Sequence, residues 1–550
     1  MRRRLGAQGR FLLGLLPGKA DLARARVAPG RDLIAGATVA IVALPLALAF
    51  GAASGLSAQA GITTAVIAGI IAAVFGGSNV QVSGPTGAMT VVLIPVVHQF
   101  GAAGLLQVGL MAGVILIALS VSRLGRYVRY LPTSLVEGFT AGIAVVIALQ
   151  QVPNMLGVEA GDQEQVWAVA ADAARRYLAD PDPVPLLIAL GVAAVILLGA
   201  RWKPAIPLSL VAVAAATALT QWLGFDLATI GNLPAGIPAP DAGFLDASLL
   251  AALLPSAFAI AALAALESLL SATVADGMTV GEHHNPDREL LGQGLANLVV
   301  PFFGGVPATA AIARTAVNVR SGARSRLASV SHSVILLIFV MVAAPAVGII
   351  PMAALAGVLL AVTIQMVQVG AIRSILKSTR ADAVVLMLTF GVTVAIDLVT
   401  AVVVGLIVAA LLALQSVSRA AYLERVPLDE APAEAEQLEH DIIAFRLDGP
   451  LFFGAAHRFL LELTQVTDVS VIILRMSRVS TIDATGAVML DDAITRLERR
   501  GIVVLLSGIR PDHGRVLTAL GALERLENSG RVFSETPEAI AYARSITRKG

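Results

Sequence analysis

Cysteine is missing from all 550 residues. That excludes a disulfide framework, a thiolate metal site and a cysteine nucleophile. Charge is scarce too. Asp, Glu, Lys and Arg make up 14% of the chain, where a soluble globular domain carries about 25%. The charges nearly cancel, at +1, so nothing calls for a nucleic-acid partner. No GxxxxGK[ST] loop occurs, which argues against ATP-driven chemistry. Nothing near the start reads as a cleavable signal. The first apolar piece, "FLLGLLPG", is short and ends in Pro-Gly; it is expected in a cytoplasmic or interfacial arm.

What is abundant is apolar. Hydrophobic residues make up 57%, and the mean hydropathy is +0.82. Runs near the ~20 residues that cross a bilayer recur along most of the chain. The fold class expected is a polytopic α-helical membrane protein. Fourteen apolar segments are read, from 33–50 to 402–414. Basic residues support that count, because short cytoplasmic loops are rich in Lys and Arg. Arg2, Arg3, Arg4, Arg10, Lys19, Arg24, Arg26 and Arg31 precede the first segment. Further basic clusters follow even-numbered segments, at Arg123–Arg129, Arg201–Lys203, Arg320–Arg326 and Arg373–Arg380. Both termini are therefore expected in the cytoplasm.

The expected domains are an arm over 1–32, a transmembrane domain over 33–418, a linker over 419–438 and a cytoplasmic α/β domain over 439–550. The linker is Pro- and Glu-containing, "VPLDEAPAEAEQLEHD". After it, strand and helix patterns alternate, as in "VSVIILRM" and "DATGAVMLDDAITRLERR".

Two segments echo each other. "VSGPTGAMTVV" begins at Val82 and "GGVPATAAIARTAV" at Gly304. Each sets a proline among small and hydroxyl residues, then resumes an apolar helix. Pro85 and Pro307 are 222 residues apart, with seven segments between them. An odd number gives the two halves opposite topology, as in an inverted repeat. Proline lacks an N–H and its predecessor avoids helical angles. Each helix is thus expected to start just after its proline. Its first amides have no helical partner, and in lipid they must be buried or face a cavity. Two such N-termini, each near half a positive charge, would make an anion site. Thr86 and Thr309 are candidates to cap or donate, with Thr90 one turn farther in.

Ionisable groups inside apolar segments are costly and usually functional. Glu267 lies deep in the eighth segment, 40 residues before Pro307, as Pro45 lies 40 before Pro85. It is expected beside the anion site, as a coupling group that takes a proton or holds a cation. Ser271 follows at i+4, on the same helix face. A structural pair with Arg314 is the other reading of Glu267. Arg314 either adds positive field to the site or only balances Glu267. His98 and His332 are lone residues without metal-ligand spacing, and His283 and His284 lie in a loop; no cofactor is expected apart from a cation such as sodium at Glu267 and Ser271.

These motifs resemble the SulP (sulfate permease) family of anion transporters, the bacterial relatives of solute carrier family 26. "DLIAGATVAIVALPLALAFGAASGL" is similar to the family's first span, "QVSGPTGAMT" to its third and "GGVPATAAIARTAVNVRSGARS" to its tenth. "STIDATGAVML" resembles the signature of its C-terminal STAS domain. The resemblance implies a seven-plus-seven inverted repeat with core and gate domains. It implies substrate contacts at Thr86, Gly87 and Ala88 and at Ala310, Ala311 and Ile312, with Phe50 lining the pocket. Glu267 and Ser271 match the acid and hydroxyl that hold sodium in sodium–bicarbonate members. Here the acid is Glu rather than Asp, and "Ala-Ile" removes a hydroxyl from the tenth helix. That favours a proton over sodium. Asp483 and Thr485 match the regulatory turn of soluble STAS relatives, though a plain helix cap is the simpler reading.

The activity expected is secondary active transport of bicarbonate, sulfate or a C4 dicarboxylate, by an elevator-like movement. The chain is expected to be no enzyme. The alternatives are an uncoupled anion channel, a STAS-regulated exchanger, a nucleobase permease and an anion sensor. Expected partners are the bilayer, a second copy of the chain as a homodimer, and a cytoplasmic regulator of the STAS domain.

Overall fold

The structure is a computed structural model. It describes residues 11–547 except 12–13, 131, 160, 162, 164, 203–207, 233, 235, 280, 282, 397, 421, 427–440, 453–462, 464–465 and 467–468. The chain divides into two units, residues 1–406 and 407–550.

The first unit is helical. A short α1 (Lys19–Ala25) precedes α2 (Pro29–Ala53), which starts on a proline at a position that needs no N–H. Ser57 caps α3 (Ala58–Phe75) by accepting from the Ala60 amide. After β1 (Ser83–Gly84), α4 runs Gly87–Val121. Gly101 leaves the helical region at φ 68° and breaks it in two. Next come α5 (Thr133–Gln150), α6 (Val152–Leu156), α7 (Val166–Ala179), α8 (Pro183–Trp202) and α9 (Leu208–Leu223). Then come α10 (Leu250–Met278), α11 (Pro286–Val299), β2 (Thr309–Ala310), α12 (Ile312–Arg320) and α13 (Arg326–Gly348). The set closes with α14 (Met352–Met366), α15 (Val369–Ser378) and α16 (Arg380–Ala395), and α17 (Leu398–Ala420) runs from the first unit into the second.

Every one of the fourteen apolar segments thus carries a helix. Eight helical stretches among the described residues are long and apolar enough to cross a membrane. The packing repeats as the sequence does. α4 packs on α11 and on α10; α13 packs on α3 and on α2; α5 packs on α16, and α14 on α8. Exchanging the two halves maps these pairs onto one another. Helices α2–α4 and α10–α13 form one mutually packed group, and α5, α8, α14 and α16 another.

The second unit has a five-stranded sheet in the order β3-β4-β5-β6-β7. These are Tyr422–Val426, Ile442–Leu451, Val471–Ile482, Val503–Ser507 and Val532–Phe533. Only the β3–β4 pair is antiparallel. Leu474, Val504 and Leu506 meet α18 (Ala484–Arg499) and α19 (Pro511–Ala519) on one face. A further helix, α20 (Ala522–Asn528), joins that face through Leu523. Ile473 and Leu505 meet α21 (Thr536–Thr547) on the other. The expected linker, 419–438, is not all linker: α17 runs to Ala420, and β3 follows. Its Glu and Arg hide that strand's pattern, and it forms because it pairs edge-on with β4 while Leu423 packs on the core. The rest of that stretch lies outside the described residues.

Candidate functional site

The centre of the first unit is a crossing of two extended strands. Pro85 and Pro307 keep their predecessors out of helix. The freed backbone groups pair with each other: β1 and β2 are antiparallel, with Ser83 opposite Ala310 and Gly84 opposite Thr309. Since each strand feeds a helix, the antiparallel pairing sends α4 and α12 in opposite directions from neighbouring N-termini.

Buried side chains satisfy the remaining extended backbone, as a dry interior requires. Asn297 donates to the Ala308 carbonyl at 2.8 Å and accepts from its amide at 2.7 Å. Gln293 donates to Ser83 Oγ at 2.7 Å. Thr315 Oγ1 accepts from the Val82 amide at 3.1 Å, and the Ala311 amide donates to the Val82 carbonyl at 3.0 Å.

The two helix starts differ in detail. Helix α4 starts at Gly87, with Thr86 as its cap: the hydroxyl oxygen accepts from the Met89 amide at 3.4 Å. Helix α12 does not start just after Pro307, as expected. It starts at Ile312, because residues 308–311 are spent on the strand and its hydrogen bonds. Its cap position, Ala311, offers no side-chain acceptor. Thr309 is therefore a strand residue rather than a cap. Its hydroxyl shares a 2.9 Å hydrogen bond with Ser268 and donates to the Ala264 carbonyl. Among the described residues, the amides of Gly87, Ala88, Ile312 and Ala313 have no hydrogen-bond partner.

Glu267, half-buried on α10, meets the start of α4 directly: Thr86 donates to its Oε2 at 2.9 Å. Ser271 is fully buried and turns elsewhere, donating to Thr315 at 3.1 Å. Arg314 is 2% exposed and reaches back from α12, donating through Nη2 to the Pro85 carbonyl at 2.6 Å. Its Nη1 has no partner among the described residues. No ion pair within 4.0 Å joins it to Glu267 among them. The guanidinium lies against Gly84, where a Cβ would come within 2.7 Å of Nη1.

Phe50, near the end of α2, closes one side. A Cβ on Gly87 would meet its ring at 3.1 Å and clash with Ile147 Cδ1. Ala88 and Thr90 are buried, and Thr90 donates to the Gly87 carbonyl at 2.7 Å. Ala310 donates its amide to Ser268 Oγ. Ile312 is 42% exposed. Thus Thr86, Gly87, Phe50, Glu267, Arg314 and the Ala310–Ile312 turn gather at one crossing, with Ser271 tied in behind it.

Sequence reasoning passed over Ser268, Thr315, Gln293 and Asn297. The run "ESLLS", which begins at Glu267, hinted at Ser268, since it puts polar groups on an otherwise apolar helix. His332 is fully buried on α13, with neither ring nitrogen partnered among the described residues. Asp483 and Thr485 belong to the second unit. Asp483 caps α18 by accepting from the Gly486 amide at 2.6 Å, and Thr485 is exposed. No group of three or more His, Asp or Glu side chains among the described residues could hold a metal.

Comparison with known proteins places this architecture. The sulfate permease family model matches residues 30–389, and the STAS domain model residues 433–539. "Putative sulfate transporter YvdB" of Bacillus subtilis (strain 168) is 34% identical over 504 residues, 90% of this chain and 94% of its own. The bicarbonate transporter BicA of Synechocystis sp. (strain ATCC 27184 / PCC 6803 / Kazusa) is 31% identical over 531 residues, 93% of this chain and 92% of its own. Among solved structures, the murine Solute Carrier 26 family member A9 anion transporter in the inward-facing state shares the fold. Its TM-score is 0.85 at 19% identity, covering 99% of this chain and 96% of that one. These relatives are transporters, not enzymes. With its crossed half-helices, paired halves and C-terminal α/β unit, the chain belongs to the sulfate permease family of membrane anion transporters and carries a STAS domain.

Proposed function

We propose that this chain is a secondary active transporter holding a small oxyanion between the N-termini of α4 and α12. The candidates are bicarbonate, sulfate and a C4 dicarboxylate. One observation carries the reading: the antiparallel β1–β2 pair sets two helix starts with unpartnered amides side by side. Each contributes roughly half a positive charge, and Arg314 adds a whole one. Glu267 is the only acid bonded directly to either helix start among the described hydrogen bonds. Its negative charge opposes an incoming anion, so neutralising it on anion entry couples the two. A proton fits better than sodium, because Ala311 and Ile312 at the start of α12 provide no side-chain oxygen to ligate a cation. A sodium ion at Glu267 and Ser271 is the competing coupling ion.

In this reading the fourteen segments cross a bacterial plasma membrane with both termini cytoplasmic. Residues 1–32 form the arm, 33–418 the transport domain, 419–438 the connection and 439–550 the STAS domain. The helix group carrying the crossing shifts against the group of α5, α8, α14 and α16, as an elevator. The chain works as a homodimer. The STAS domain offers Asp483 and Thr485 to a cytoplasmic regulator.

Uptake into proteoliposomes tests the proposal, with a panel of anions and imposed pH or sodium gradients. Accumulation of one oxyanion that follows the pH gradient, and is lost in Glu267→Gln, is expected. Current without accumulation would instead make the chain an uncoupled channel.

A further inference from the structure

A second basic feature lies away from the crossing, where α2 enters the apolar region. A cavity of about 760 Å³ opens there. Its lining includes Arg24 of α1, Arg31 in the first turn of α2, and Arg324 just before α13, and no acid lines it among the described residues. The two acids nearest in sequence are turned away and occupied. Asp21 accepts from Arg288 at 2.8 Å and lies 3.4 Å from Arg326. Asp32 is fully buried and accepts from the Arg324 and Ser325 amides and the Ser325 hydroxyl. That contact fixes the Arg324 backbone at the cavity while leaving its positive charge uncompensated by Asp32.

The helix start adds to the field. Its cap residue, Ala28, provides no side-chain acceptor, and Pro29 has no N–H. The positive end of a 25-residue helix therefore faces the same space. A second observation points to an amphiphile rather than a bare ion. Apolar side chains stand exposed around the arginines: Val27, in the lining itself, is 78% exposed, and Leu33 and Ile34 of the next turn are 55% and 66% exposed. Positive charge beside exposed aliphatics, at the end of a membrane helix, matches the chemistry of a phosphate-bearing lipid headgroup with its acyl chains.

We infer that this cavity is a binding site for an anionic phospholipid, with the phosphate held by Arg31 and Arg324 and the chains lying along Leu33 and Ile34. The site clamps the arm to the start of α2 and to the loop before α13, two parts of the helix group that carries the crossing.

Native mass spectrometry of the full-length protein in detergent tests this. Phosphatidylglycerol and phosphatidylcholine with identical chains are added in turn. Wild type is expected to retain phosphatidylglycerol preferentially, and Arg31→Gln/Arg324→Gln to retain it about tenfold less, on the order of a few-fold per arginine. Arg373→Gln, an exposed arginine on α15, is the control and is expected to leave retention unchanged. Val27→Asp, at an exposed position, is a second probe expected to weaken retention without touching an arginine. Equal retention of the two lipids, equal loss in the control, or wild-type retention in both cavity variants would overturn the site. Displacement of the lipid by millimolar inorganic phosphate would overturn the lipid assignment and make soluble phosphate the ligand.

Discussion

The two helix starts at the crossing share a scaffold and differ in chemistry. At α4 the start is capped, buried and tightly packed: Thr86 caps it, and Gly87 sits against Phe50 and Ile147. At α12 the start is uncapped and open, with Ile312 at 42% exposure. In exchange, α12 sends Arg314 across to the other start, and α10 sends Glu267. Both charged groups therefore act on the α4 side. The repeat provides two positive helix ends, while the two charged side chains are concentrated at one of them.

That asymmetry can be broken stepwise. The largest effect is expected from Glu267→Gln. Gradient-driven accumulation in proteoliposomes should fall by on the order of tenfold or more, the usual scale of a coupling free energy. Next comes Arg314→Ala, which removes a buried positive charge and leaves the Pro85 carbonyl without its donor. A hydrogen bond from a charged group is worth about 1.5–3 kcal/mol, so unfolding stability should fall by about that much, and anion affinity measured by calorimetry should weaken with the lost charge.

The third test compares the starts themselves. Gly87→Ala drives a methyl into Ile147 Cδ1, and overpacking of that kind costs about 1–3 kcal/mol. Ile312→Ala, at the open start, should stay within about 0.5 kcal/mol of wild type. Thermal unfolding and transport assays of both variants check the difference. Equal effects would erase the comparison.

The smallest effect is expected at Asp21, outside the crossing. Burial alone would raise its carboxyl, but the Arg288 hydrogen bond, the Gly18 amide and the charge of Arg326 outweigh it. Together they hold it below the ordinary 3.8. Its contact therefore stabilises the arm above that value and is lost as pH falls through the lowered one. Asp21→Asn should lower the melting temperature slightly at neutral pH, and the gap from wild type should close in acid.

How much of this was legible follows from what kind of signal each part leaves. Pro85, Pro307 and their small neighbours mark the broken helices, because proline forbids helix by local sterics. The apolar runs mark the helices, and Glu267 stands out against them. The strand pairing leaves no such mark. It is made by backbone groups, and the residues that secure it, Asn297 to Ala308 and Gln293 to Ser83, meet across folded distance. So the delay of α12 until Ile312 was hidden, and with it the true role of Thr309. β3 was hidden for a related reason: "YLERV" reads as polar chain until β4 lies beside it.

The central claim is that an anion sits between the two helix starts. Electron cryomicroscopy of the full-length protein, with and without the transported anion, tests it most directly. The account predicts anion-dependent density within about 3 Å of the Gly87–Ala88 and Ile312–Ala313 amides, the ordinary hydrogen-bond distance. Anion-dependent density elsewhere, with these four amides still unpartnered, would contradict it.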